Sequence, residues 1–64
     1  MDYHWTAVLM RQYLAHLAAT GLVGQSARQV GMSPRAAYDQ RHRHPGFRLG
    51  WAAAILLARD VLTD

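Results

Sequence analysis

Cysteine, lysine and glutamate are absent from this 64-residue chain, and it holds only two prolines and four acidic residues. Without cysteine, neither a disulfide nor a thiolate zinc site can staple the fold. The lack also fits a reducing compartment. A single domain of this length buries only a modest core, so it must rely on close helix packing or on self-association. Four carboxylates leave little for general acid–base chemistry. No histidine has a serine, cysteine or paired carboxylate placed to form a catalytic set, so no enzyme is expected. His42 and His44 make an H-x-H pair, but Asp39 is the only acidic residue near them. Neither a metal nor another cofactor is expected. Met1 to Trp5 lacks the basic start of a signal peptide, and Asp2 opposes one. The longest apolar stretch, Trp51 to Ala58, is too short to span a bilayer. The expectation is a cytoplasmic, nucleoid-associated protein that does not enter a membrane.

What the chain does hold is alanine, leucine and arginine, with few β-branched residues, a composition that favours helix over strand. The formal net charge is +3 and the isoelectric point about 10.2. A base-composition bias accounts for arginine standing in for lysine throughout. It does not account for Arg35, Arg41, Arg43, Arg48 and Arg59 all lying in the second half. Such a basic balance favours a polyanionic partner.

Periodicity predicts four helices and no strand, an all-α fold in one domain, 1–64. Helix one is expected from Thr6, as N-cap, to about Ala19. Met10, Tyr13, Leu14 and Leu17 form its stripe, widened by Val8 and Leu9, and Gly21 is its stop. Helix two is expected over Gln25–Val30, with Val23 as a preceding staple, Ala27 and Val30 inward, and Arg28 and Gln29 outward. Ser33 and Pro34 are an N-cap and a first-turn proline that start helix three, which runs to about Arg43. His44-Pro45-Gly46 ends it. Helix four is expected over Phe47–Leu62, with Phe47, Trp51, Ala54, Ile55, Ala58, Val61 and Leu62 on its apolar face. Tyr3, Trp5, Tyr13, Phe47 and Trp51 are assigned to the core.

The segment Val23–Arg43 is a short helix, a glycine turn and a capped second helix. Ala27 is small enough for the two helices to cross closely, Gly31 allows the tight turn, and Val30, Met32 and Ala37 supply the inner contacts. The longer stretch ATGLVGQSARQVGMSPRAAYDQRHRHPGF resembles the bacterial helix-turn-helix family of DNA-binding domains. In those domains T-G-x-V, A-R-x-V-G-M-S and A-Y precede an arginine-rich stretch and then P-G-F. Ala27, Gly31, Ser33 and Tyr38 fall on that pattern. Gln40 departs from it, standing where the family keeps an aliphatic residue against the core, which implies either a looser third helix or packing by Tyr38 and Arg41 instead. The resemblance implies that helix three is a recognition helix for the major groove of double-stranded DNA, and bacterial transcriptional regulation is the function it implies.

With Pro34, Ala37 and Tyr38 turned inward, Arg35, Ala36, Asp39, Gln40, His42 and Arg43 point outward. Arg35 lies near the helix start, where base edges are reached, and can take a guanine. Gln40 can take an adenine, and Asp39 can either take a cytosine amino group or orient Arg35 or Arg43. Ser33 and the amides beside it suit a phosphate. Gln25 and Arg28 suit backbone contacts that position the domain, and Arg41, Arg43, His44 and Arg48 extend the basic strip past the recognition helix.

Helix four carries more apolar surface than one small core needs. Leu49, Ala52, Ala53 and Leu56, with Asp60 beyond them, form a second stripe opposite the first. A homodimer through this stripe is expected, placing two recognition helices on one duplex. A further domain beyond residue 64 would cover it equally well. Two other functions share these features: a phage-like DNA packaging (small-terminase-type) or recombination module, and a helical protein-interaction module without DNA binding.

Overall fold

A computed structural model of the chain describes residues 4–62. Tyr3 and the side chain of Leu62 lie outside the described residues. Among the described residues the fold is all-α, with four helices: α1 (Ala7–Thr20), α2 (Val23–Gln29), α3 (Pro34–Arg43) and α4 (Pro45–Leu62).

Each boundary has a local cause. The Thr6 hydroxyl accepts the Leu9 N–H at 3.1 Å and opens α1. Gly21, at φ 70°, closes it by donating its N–H to Leu17 at 2.7 Å. The Thr20 hydroxyl accepts the Leu22 N–H at 3.2 Å, and Leu22 in turn accepts from Ser26 at 3.0 Å. That pair of bonds starts α2 at Val23, two residues before the sequence pattern predicts. Val23 is therefore its first residue rather than a staple outside it. Gly24, a poor helix former, masks the start in the sequence.

Between α2 and α3 the chain makes a two-bond C-cap. The Met32 N–H reaches Ala27 at 2.8 Å and the Gly31 N–H reaches Arg28 at 3.0 Å. Gly31 takes φ 75°, a conformation costly for residues bearing a Cβ. The Ser33 hydroxyl then accepts the Ala36 N–H at 3.1 Å, with Pro34 in the first turn of α3. His44 serves two helices. Its N–H donates to Gln40 at 2.9 Å, ending α3, while its ring Nδ1 accepts the Phe47 N–H at 3.0 Å, opening α4. Proline after His44 holds that residue extended, and Pro45 itself suits a first helical turn. Thus α4 begins at Pro45, not at Phe47.

α1 packs mainly along α4, and α3 is wedged against α2 and α4. Tyr13, Leu17, Ala27, Met32, Ala36, Ala37, Phe47, Trp51 and Ala54 form the buried core. Its centre is aromatic: Tyr13 touches Phe47 at 5.4 Å and Trp51 at 5.2 Å between ring centroids, and Trp5 closes edge-on over Tyr13 at 5.8 Å. Val8 and Val61, assigned to apolar faces, are more than half exposed. α1 turns its Leu9–Tyr13–Leu17 side inward, which leaves Val8 outside. Val61 lies about one turn beyond Ala58, the last buried side chain of α4 among the described residues. No helix among the described residues is long and apolar enough to cross a membrane.

Candidate nucleic-acid interface

The helix pair α2–α3 owes its angle to small side chains. Ala27 and Ala37 are fully buried, and a methyl group on each lets the two backbones approach closely. Ala36 is buried beside them at 6 % exposure, which corrects its assignment as an outward DNA-contacting residue. The inner face of α3 is thus centred on Ala36 and Ala37 rather than on Ala37 and Tyr38. α3 packs against both α2 and α4, and it is this alanine side that is buried, which leaves the Tyr38 ring on the outside. Pro34, assigned inward, is exposed, and Tyr38, also assigned inward, is 49 % exposed.

This rotation decides what α3 presents. Arg35, Asp39, His42 and Arg43 are exposed as expected, and Tyr38 joins them. Gln40 does not. It is half-buried, and its Nε2 donates to the Met10 sulfur at 3.5 Å, so it faces α1 and not an outside ligand. Ser33 is half-buried, with its oxygen engaged by the Ala36 amide and its hydroxyl hydrogen left to donate. Gln25 and Arg28 are exposed on α2. The Arg28 Nε is tied back to the Gly24 carbonyl at 3.3 Å, which keeps its terminal nitrogens near the start of α3. His44 is exposed, but its Nδ1 is committed to the α4 cap, leaving Nε2 as its free edge.

Arg48, exposed on the first turn of α4, comes round to the same side as the second half of α3. With Tyr38, Asp39, Arg41 and His42 it lines an open cleft of about 400 Å³. Arg41 lies over the Trp51 ring at 5.3 Å from guanidinium carbon to centroid, and the Tyr38 ring meets Trp51 at 5.1 Å. Packing by Tyr38 and Arg41, one of the two alternatives left by Gln40, therefore occurs on the rim of α4 rather than inside the core. Arg41 was expected only as part of the basic strip, and Tyr38 did not stand among the expected DNA contacts. The nearest signal was the exchange of an aliphatic residue for Gln40, read together with the aromatic Trp51. The charge of this rim reaches inward. Burial, with Tyr38 adding to it and Arg41 opposing, pushes the Tyr13 phenol above its ordinary range.

The second stripe of α4 lies where the pattern puts it. Leu49 is 72 % exposed and Leu56 60 %, with Ala52, Ala53 and Asp60 exposed between and beyond them. Leu57 and Val61 extend the patch along one flank. No protein-family model, curated protein or solved structure matches this chain.

Proposed function

We propose that this protein is a double-stranded-DNA-binding domain that lays α3 in the major groove, in bacterial transcriptional regulation, and that it is not an enzyme. One observation carries the reading. The tight α2–α3 elbow buries Ala27, Ala36 and Ala37, and so turns Arg35, Tyr38, Asp39, His42 and Arg43 outward together on one helix face. A capped helix with an arginine in its first turn and cations along its outer face suits a groove between two phosphate strands. In this reading Arg35 takes a guanine edge, Asp39 a cytosine amino group, and Gln25, Arg28, Ser33, Arg43 and Arg48 hold the backbone. A second copy of the chain docks through Leu49, Ala52, Ala53 and Leu56 of α4, presenting two copies of α3 to one duplex. A nucleoid-associated place in the cytoplasm follows from the same reading.

Selection from a random duplex pool, followed by mobility shifts at two salt concentrations, tests the reading. The expected result is an enriched site and a steep loss of affinity with salt, because neutralised phosphates release counterions. Arg35→Ala relaxes preference at one position by about 1–3 kcal/mol, whereas Arg48→Ala weakens all sequences alike. Failure of the parent to retain any duplex at low salt would overturn it. The exposed leucines of α4 favour one rival, a helical interaction module without DNA binding, and that same failure is what the rival predicts. A packaging or recombination module would share the duplex contacts and differ in assembling a large ring.

A further inference from the structure

The cleft between α3 and α4 has features that base reading does not use. Two of the side chains around it, Arg41 and Arg48, are guanidinium groups from different helices, and Asp39 is the single carboxylate. Among the described residues no ion pair engages Arg41 or Arg48. Arg41 differs from the other cations of this surface in being half-buried and already ordered. Its guanidinium lies 5.3 Å from the Trp51 ring centroid, and that ring is clamped by Tyr13, Tyr38 and Phe47. Its Nε is sealed from solvent without a hydrogen-bond partner among the described residues, so its donor capacity rests with the two terminal nitrogens.

A side chain held over an aromatic ring cannot extend to the floor of a groove. It can meet a group that comes to the protein surface, and it loses little further freedom when it does. The planar fork of a guanidinium matches two oxygens of a phosphate. Resting on the DNA-binding reading, we infer that this cleft seats one backbone phosphodiester of the bound duplex. Arg41 and Arg48 hold it from two sides, with Tyr38 as the wall. The contact fixes the register of α3 without reading sequence, because a phosphodiester is the same at every step.

The test is fluorescence anisotropy of a labelled duplex carrying the selected site, and of a scrambled one, across a salt series. Arg41→Gln and Arg48→Gln are compared with the parent. Each variant is expected to flatten the slope of log affinity against log salt by about 0.9, the value for one lost phosphate contact, on both duplexes equally. The two changes together flatten it no further than the loss of that one phosphate. Because Arg41 packs on Trp51, its variant is accompanied by circular dichroism. Arg48, exposed at the start of α4, provides the variant that leaves packing untouched. A parent that binds no duplex would sink the DNA reading itself. A parent that binds, with Arg48→Gln keeping the full slope, would overturn the cleft assignment alone. Inorganic phosphate, followed through the Arg41 and Arg48 side-chain resonances, is expected to bind only at millimolar levels. Micromolar saturation would reassign the cleft to a free anion and overturn the inference.

Discussion

Gly50 faces Leu14 so closely that a Cβ placed on it would lie 2.6 Å from the Leu14 Cδ1. This is a close contact between α4 and α1, the two longest helices. Alanine in place of glycine inside a helix ordinarily gains about 1 kcal/mol. Here that gain is set against a displaced Leu14 side chain. Gly50→Val, which cannot be relieved by a small rotation of Leu14, is expected to destabilise the domain by about 1–3 kcal/mol. In a double-mutant cycle by thermal or urea unfolding, Gly50→Ala becomes clearly stabilising once Leu14 is alanine. A coupling energy near zero would show that the two helices do not meet at this pair.

The Tyr13 hydroxyl is buried and has no hydrogen-bond partner among the described residues. Tyr13→Phe removes that polar group while keeping the ring that touches Trp5, Phe47 and Trp51. The expected gain is about 1 kcal/mol, or a rise in Tm of roughly 4–8 °C for a domain of this size. The same phenol gives the fold an alkaline limit. Its pKa is raised in the folded state, so the neutral form is the one the core stabilises. Its contribution is complete below the ordinary phenol range near pH 10 and is lost as the pH climbs above it. Unfolding titrations from pH 8 to 11 should therefore show a steeper decline for the parent than for Tyr13→Phe.

His44 joins two helices through one backbone N–H and one ring nitrogen. Replacing it by alanine leaves the Phe47 amide without its cap and should cost about 1 kcal/mol, read from the urea midpoint. Asparagine or aspartate, which carry an acceptor at similar reach, should recover most of that loss. If alanine and asparagine behave alike, the cap contributes nothing to stability.

Leu56, 60 % exposed, lies at the middle of the outer stripe of α4. Leu56→Arg should leave the fold intact by circular dichroism, because the residue faces away from the Trp51–Ala54–Ala58 side. It should halve the mass measured by light scattering if two copies meet there. Equal masses for parent and variant would rule out pairing through this stripe.

Most of the helical plan was readable in the chain. Thr6, Gly21, Ser33-Pro34 and Pro45 act within three or four residues of themselves, and α1 and α3 end within one residue of the positions their punctuation predicts. The early start of α2 was hidden, because its cap uses the Thr20 hydroxyl and the Leu22 backbone rather than a capping side chain at Leu22. The Gly50–Leu14 approach was hidden as well, since a glycine inside a helix gives no sign of what lies opposite it.

For the candidate interface, Arg35, Asp39, His42 and Arg43 were found by a simple rule: charged side chains on a short helix point to water. Ala36 and Gln40 were misplaced by the same counting, because alanine and glutamine have no strong preference and take whichever side the neighbours leave. Local chemistry thus determined how many helices form and where the elbow bends, since caps and turn glycines act over a few bonds. The rotation of α3 about its own axis, and with it the exposure of Tyr38 and the seating of Arg41 on Trp51, was decided only by tertiary contact. α3 packs against both α2 and α4, so residues far apart in the chain decide which of its sides is buried.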